Sequence, residues 1–188
     1  EISKYMAKRY DVEYDPASEV LITVGGSEGI DACIRAMLDP GDEMIIPEPC
    51  FVSYKPCAVF AGAKPVVIDL KAENEFRLTP EELEAAITPK TKLVLLTYPN
   101  NPTGAVMRKE DLEKIAKVII DHDLFVLSDE IYSELNYASD GPSTSIASLP
   151  GMRERTVVIN GFSKAFAMTG WRMGWAAGPS TVIKQMMK

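Results

Sequence analysis

At 188 residues, with 46% hydrophobic and 25% charged side chains, the chain has the size and composition of one globular domain. Its net charge of -7 argues against nucleic acids and anionic membrane surfaces as partners. No apolar run approaches the roughly 20 residues of a membrane span.

Strand and helix patterns alternate along the chain, separated by Gly, Pro and Asp turns. Helical spacing begins at once, at Ile2, Met6 and Tyr10, and because no initiator Met precedes it, we expect the N-terminus to have been cut from a longer protein. The predicted strands are 20–24, 44–46, 65–70, 92–98, 124–127, 156–160 and 173–177. The predicted helices are 25–38, 51–61, one that begins after the N-cap Thr79, 108–121, and one from 181 to the chain end.

Continuous apolar strands separated by helices indicate a mainly parallel sheet that is covered on both faces. The sequence therefore predicts an α/β fold, a three-layer α/β/α sandwich with a mainly parallel mixed sheet, built as one domain over residues 1–188.

Cysteine and histidine positions exclude several chemistries. Cys33, Cys50 and Cys57 have neither the spacing of a CxxC motif nor that of a metal site, so no metal is expected. Cys33 lies in an apolar helical stretch, and a buried, reduced thiol there suits the cytoplasm. The single histidine, His122, lies between two aspartates at a predicted helix end, which favours a solvated position over catalysis.

Polar residues follow four of the predicted strands. Ligands of open parallel sheets bind outside the carboxyl ends of the strands, so these residues should face one edge. They are Gly26 with its neighbouring Gly and Ser, Asn101, Asp129 with Tyr132, and Lys164. The sequence therefore predicts that an anion site, an amide, a carboxylate with a phenol, and an amine converge.

Each of these residues also has a plain structural interpretation. The glycines before Ser27 offer free N–H groups and a helix dipole to an anion, but strand-to-helix turns often carry glycines for geometry alone. Asp129 could be a helix N-cap, or a carboxylate that keeps a ring nitrogen protonated. Tyr132 follows Asp129 by three residues, so it is expected on the same face of a helical turn, where it could reach the same ligand. A lysine in apolar surroundings, such as Lys164, can act as a Schiff-base nucleophile, and Arg172 suits either a phosphate or an ion pair.

Three segments carry a family resemblance. They read Tyr-Pro-Asn-Asn-Pro-Thr-Gly at 98–104, Ser-Asp-Glu-Ile-Tyr at 128–132 and Phe-Ser-Lys-Ala-Phe-Ala-Met-Thr-Gly-Trp-Arg-Met-Gly at 162–174. In this order and spacing they resemble class I/II aminotransferases of fold type I, which use pyridoxal phosphate (PLP), and within them the bacterial aspartate, alanine and aromatic enzymes.

The resemblance implies roles in catalysis and around the cofactor ring. Lys164 would hold the cofactor as a Schiff base and then move the proton between the substrate Cα and the cofactor C4′. Asp129 would pair with the pyridinium nitrogen, and Asn101 and Tyr132 would hydrogen-bond the ring 3′-oxygen. Phe51 would stack on the ring face, although a plain core position remains open for it. The resemblance also suggests that the peptide bond after Asn101 is cis.

The resemblance also implies a phosphate site made by Gly26, Ser27 and Arg172. Many relatives have a phosphate-binding Ser three residues before the lysine, where this chain has Gly161. Ser163, next to the lysine, is an alternative donor, unless Ser27 and Arg172 suffice.

The chain is only about half as long as the enzymes of the family that it resembles. The chain corresponds to the PLP-binding large domain, which we expect to be truncated at both ends, with the small C-terminal domain and its substrate-carboxylate arginine missing. The family further implies amino acid and 2-oxo acid substrates and a homodimer with shared active sites.

Three functions remain open at this point. The parent protein is expected to be a transaminase, but a PLP-dependent β-lyase would use the same lysine, aspartate and aromatic ring. The third is a non-catalytic excised domain that holds PLP without turnover. Arg35, Arg153 and Arg155 stay open as substitutes for the missing arginine, although no pattern favours them.

Overall fold

The computed structural model describes residues 1–137 and 143–188. Within them, all strands join one sheet in the order β1-β7-β6-β5-β4-β2-β3. The strands are β1 (Val20–Thr23), β2 (Glu43–Glu48), β3 (Lys64–Asp69), β4 (Thr91–Thr97), β5 (Phe125–Asp129), β6 (Thr156–Gly161) and β7 (Gly174–Ala177). Strand β7 is antiparallel to both of its neighbours, and every other pair is parallel. The predicted mainly parallel mixed sheet is therefore confirmed.

Helices cover both faces of this sheet. They are α1 (Ile2–Tyr10), α2 (Gly25–Met37), α3 (Tyr54–Phe60), α4 (Pro80–Ala86), α5 (Lys109–Asp121) and α6 (Ser180–Met186). Alternate side chains of β4 point to opposite faces. Leu95 packs in one apolar cluster with α2, α3 and α6, and Val94 packs in another with α4 and α5. On that second face, α1 packs against Val158 of β6 and Trp175 of β7. The three-layer α/β/α architecture follows.

The start of α3 differs from the prediction. The helix begins at Tyr54 instead of residue 51, and a turn precedes it. Pro56 explains the difference. A helix that began at residue 51 would hold Pro56 in its interior, whereas a start at Tyr54 puts it in the first turn, where N–H groups have no intrahelical acceptor and a proline is tolerated. By contrast, the predicted start of α4 is confirmed: Thr79 and Glu82 form a capping box.

Cys33 is fully buried with a free thiol, as expected, and burial raises the pKa of this thiol to about 12. His122 follows α5, where its Nε2 atom lies 2.8 Å from a carboxylate oxygen of Glu84. Over residues 1–137 and 143–188, no group of side chains is arranged to hold a metal ion. No helix there is long and apolar enough to cross a bilayer.

Candidate active site

A cavity of about 180 Å³ opens where β4, β5 and β6 end and α2 begins. The structure brings every residue that the sequence predicted for the site to its wall. These residues are Gly26, Ser27, Phe51, Asn101, Asp129, Tyr132, Ser163, Lys164 and Arg172. Four further residues, which the sequence analysis did not single out, complete the wall: Ile30, Tyr54, Ile131 and Thr169.

Asp129 is the last residue of β5 and only 6% exposed. Its Oδ2 atom accepts a hydrogen bond of 2.7 Å from the Tyr54 hydroxyl, and Oδ1 accepts one of 3.1 Å from the Ile131 N–H. Burial raises the pKa of this carboxyl group, and the two hydrogen bonds oppose the rise. The site therefore contains a buried, oriented carboxyl group with no basic side chain bonded to it among the described residues.

The segment after Asp129 is not the α-helical turn that the sequence predicted. A turn leads from β5 into a short 3₁₀ helix, Ser133–Leu135, and Tyr132 precedes that helix. The bond from the Ile131 N–H to Asp129 is a local Asx-type contact, which favours a turn over a helix. Tyr132 nevertheless reaches the cavity wall.

Tyr54 is the main residue that the sequence analysis missed. Its side chain is 1% exposed, and its ring meets the Phe51 ring edge-on, with centroids 5.8 Å apart. At helical spacing among apolar residues, a tyrosine is typical of a core position. The one available signal was its place three residues after Phe51, a spacing that would put both rings on one side of the helix predicted from residue 51.

The N-terminus of α2 faces the cavity with the Arg172 guanidinium beside it. None of the described side chains caps this helix in the usual way, although the Glu28 carboxylate bonds the N–H of Val24. A Cβ atom on Gly25 would lie 2.5 Å from Nη2 of Arg172, so only a glycine lets the guanidinium approach this closely. The Nη1 atom donates a 2.9 Å hydrogen bond to the Thr169 carbonyl, which orients the side chain. This is a ready site for an anion.

Two more glycines shape the same corner. A Cβ atom on Gly174 would come within 2.4 Å of the Gly25 carbonyl carbon, so the start of β7 packs directly on the first turn of α2. A Cβ atom on Gly161 would lie 2.9 Å from the Met173 carbonyl oxygen. A serine at position 161 would therefore require the backbone to shift, which accounts physically for the glycine in this chain.

Lys164 lies at the open side of the cavity. Its side chain is exposed, so the expected apolar surroundings are not found; its Nζ atom lies 5.6 Å from the centroid of the Tyr132 ring. The neighbouring Ser163 is half-buried, and its carbonyl accepts a 2.8 Å hydrogen bond from the Thr169 hydroxyl. The amine can therefore approach a ligand over the face of Tyr132 from the solvent side.

Asn101 projects from a loop that is tied down by its neighbour. The Asn100 side chain donates 3.2 Å to the Pro49 carbonyl and accepts 3.0 Å from the Thr103 hydroxyl. The peptide bond between Asn101 and Pro102 is cis, as the resemblance suggested. Asn101 and Phe51 are both half-buried, which leaves each free to contact a ligand in the cavity.

The arginines that were left open for a substrate carboxylate do not reach this cavity. Arg35 pairs with Asp31, Arg153 with Glu19 and Arg155 with Asp123. Among the residues that the structure describes, Arg172 is the one arginine on the cavity wall.

Comparison with known proteins finds similar chains and a similar fold. The chain is 53% identical over 188 residues to the Bacillus subtilis protein YugH, and covers 48% of it. It is 47% identical over 187 residues to an aspartate aminotransferase of Pyrococcus abyssi, covering all of this chain and 48% of that protein. A crystal structure of an aromatic aminotransferase from Pyrococcus horikoshii superposes with a TM-score of 0.96 at 46% identity, covering 98% of this chain and 49% of that one.

The chain thus spans about half the length of the curated relatives that it matches. The family profile described as aminotransferase class I and II matches residues 1–188. The fold is that of the fold-type-I enzymes, and the chain belongs to the class I and II aminotransferase family.

Proposed function

We propose that this chain is the PLP-binding large domain of an aminotransferase that transfers an amino group from an amino acid to a 2-oxo acid. One observation carries the proposal: the buried carboxyl group of Asp129, the amine of Lys164 and the Arg172 guanidinium at the start of α2 line one cavity. The half-length match to the relatives supports the assignment to a large domain, with a small C-terminal domain and its carboxylate-binding arginine supplied by the longer protein.

The cavity fits PLP by its donor set. The uncapped N-terminus of α2, held against Arg172 by the glycine contacts, suits a phosphate dianion. Across the cavity, Asp129 offers a buried acceptor that suits a protonated ring nitrogen. Gly26, Ser27 and Arg172 would hold the phosphate, with Ser163 as a further donor, and Asn101 and Tyr132 would bond the ring oxygen.

When bound, PLP supplies a protonated pyridine ring that withdraws the negative charge developing at the substrate Cα. Asp129 holds the proton at the ring nitrogen, because an ionised carboxylate beside it favours the protonated form. The Lys164 amine, placed at the open side near Tyr132, would take a proton from the substrate Cα and deliver it to the cofactor C4′. Phe51 covers the ring face and excludes water from it.

The remaining assignments concern partners and location. The substrates would be an amino acid and a 2-oxo acid; relatives are named for aspartate and for aromatic amino acids. We infer a homodimer, which the exposed rings of Phe60 and Trp171 support as a source of apolar contact area. Free thiols support a cytoplasmic location.

The test is capture of the cofactor at Lys164. The chain is mixed with PLP, its visible spectrum is recorded, borohydride is added, and the modified peptide is mapped by mass spectrometry. We expect one dominant adduct, at Lys164, which is lost in Lys164→Ala and retained in the matched surface variant Lys184→Ala. Labelling spread evenly over surface lysines, with no preference for Lys164, would overturn the assignment.

Turnover is tested in the longer protein that contains this chain. We expect consumption of the amino acid to depend on added 2-oxoglutarate. Release of pyruvate and ammonia from a cysteine-like substrate without any 2-oxo acid would instead identify a β-lyase.

A further inference from the structure

At the cavity wall, three buried side chains, Tyr54, Thr97 and Asp129, are joined by hydrogen bonds. The hydroxyl of Tyr54 donates to Asp129 at 2.7 Å and lies 3.4 Å from the hydroxyl of Thr97. Thr97 and Asp129 are register partners on the neighbouring strands β4 and β5, so both side chains project from the same face of the sheet. Helix α3 covers that face and brings Tyr54 onto the pair.

The direction of these hydrogen bonds follows from counting protons. A tyrosine hydroxyl has one proton, and the closer acceptor, the Asp129 carboxylate, receives it. The Thr97 hydroxyl can then donate to the Tyr54 oxygen. Burial and the nearby Asp129 charge raise the pKa of the Tyr54 phenol well above its ordinary range. Tyr54 therefore stays a donor at any pH at which the protein is used.

We propose that Tyr54 is a positioning residue, which holds Asp129 as an oriented carboxylate facing the cavity, with Thr97 fixing the Tyr54 hydroxyl from the neighbouring strand. The proposal rests on the proposed function in one respect, that Asp129 pairs with the cofactor ring. The contact itself exists without any cofactor, since it joins side chains of this chain alone.

Two consequences follow from this arrangement. With Oδ2 bonded to Tyr54 and Oδ1 to the Ile131 N–H, the carboxylate cannot rotate, and each oxygen keeps a lone pair for a ligand. No reorientation is then needed when a ligand binds. Because the Tyr54 ring also packs edge-on against Phe51, the same side chain sets the place of a second cavity residue.

The test compares Tyr54→Phe with Tyr14→Phe. Both tyrosines are buried, and each change removes one hydroxyl, but Tyr14 lies in the α1 cluster on the opposite sheet face. The first readout is the pH titration of the Asp129 carboxyl, followed by ¹³C NMR in the cofactor-free chain. The second is the dissociation constant for PLP. The other ionisable groups that share the cavity wall with Asp129 are Tyr132, Lys164 and Arg172. Glu130, the next residue, points to the opposite face of the sheet but is close enough for its charge to interact with that of Asp129.

Loss of the Tyr54 hydrogen bond removes a contact that favours the charged form, so the Asp129 titration should move to higher pH in Tyr54→Phe and stay in place in Tyr14→Phe. PLP affinity should fall about tenfold to a hundredfold, the range for a hydrogen bond to a charged group. Thr97→Val should shift both readouts in the same direction by a smaller factor.

The outcomes separate this inference from the proposed function. An unchanged Asp129 titration in Tyr54→Phe, or equal shifts in the two tyrosine variants, would overturn the inference. If even the unaltered chain captures no PLP at Lys164, the proposed function fails, and the carboxyl titration alone decides the role of Tyr54.

Discussion

Two adjacent carboxyl groups at the end of β5 illustrate how differently one strand can use the same chemistry. Asp129 is 6% and Glu130 is 4% exposed, and they point to opposite faces of the sheet. Asp129 opens into the cavity under α3, whereas Glu130 accepts hydrogen bonds from Ser128 at 2.9 Å and Ser145 at 2.6 Å on the other side. Within residues 1–137 and 143–188, Oε2 of Glu130 has no hydrogen-bond partner.

Burial raises the pKa of both groups, that of Glu130 to about 7. A raised pKa alone would therefore nominate both as functional, yet only one shares a cavity with an amine and a guanidinium. Access to a cavity and the neighbouring charged groups, rather than the pKa shift itself, therefore distinguish a candidate site from a buried structural acid.

The buried carboxyl group of Glu130 should make the free energy of unfolding strongly dependent on pH. The pKa of Glu130 is about 7 in the folded chain against an ordinary value of 4.5, so the folded state holds its proton more tightly. The stability that this protonated carboxyl group contributes to the folded state is fully present below pH 4.5 and is lost as the pH rises to about 7. Over that range the free energy of unfolding falls by about 3 kcal/mol. Glu130→Gln should remove this loss, so the variant gains stability relative to the unaltered chain across that window.

Urea unfolding at pH 5 and pH 8 measures the effect. The control is Glu113→Gln, which changes an exposed carboxylate of α5. A stability difference between Glu130→Gln and the unaltered chain that is the same at both pH values would contradict the assignment.

The next effect concerns the Asp129 side. Asp129→Asn removes the charge that would pair with the ring nitrogen, and we expect PLP affinity to fall about thirtyfold, the range of a charge-assisted hydrogen bond. Glu130→Gln is the matched change one residue away and should leave affinity within twofold. Absorbance titration with PLP measures both constants, and equal losses in the two variants would erase the distinction between the faces.

The same two faces of the sheet show how much of the fold and of the site could be predicted from the sequence. Apolar runs and turn residues were enough to predict the sheet and its covering helices, because period and turn chemistry are local. The motifs around Asn101, Asp129 and Lys164 predicted which residues meet at the cavity, since each follows a strand end. Their roles toward a cofactor stay a prediction.

What escaped prediction depends on contacts distant in the chain. Tyr54 bonds a residue 75 positions away, and no local pattern distinguishes it from a core tyrosine. The need for glycine at position 174 arises from its contact with the backbone of Gly25 across the fold. The exposure of Lys164 likewise depends on how the cavity opens, which the composition of its own segment does not reveal.

A change at the phosphate end of the cavity should have a smaller effect, which should weaken binding of the phosphate group and not binding of the ring. Gly25 has φ +76°, and a Cβ there would displace the Arg172 guanidinium. Gly25→Ala should cost about 1–2 kcal/mol of stability from the left-handed backbone and weaken PLP about tenfold, with little effect on pyridoxal, which lacks the phosphate.

Gly41→Ala is the matched control, because Gly41 has φ +96° and open space around its Cβ position. It should lose similar stability but no affinity. Equal weakening of PLP and pyridoxal in Gly25→Ala would show that the guanidinium does not act on the phosphate.

The smallest expected effect lies on the Glu130 face, far from the cavity. The Thr79 hydroxyl accepts a 3.2 Å bond from the Glu82 N–H, and the Glu82 carboxylate accepts a 3.0 Å bond from the Thr79 N–H. Thr79→Ala should lower the free energy of unfolding by about 1 kcal/mol, whereas Thr181→Ala, an exposed change within α6, should stay within about 0.5 kcal/mol. Because α4 packs on the face away from Asp129, PLP affinity should be unchanged in both variants. A loss of affinity in Thr79→Ala would show that the two faces are coupled through the sheet.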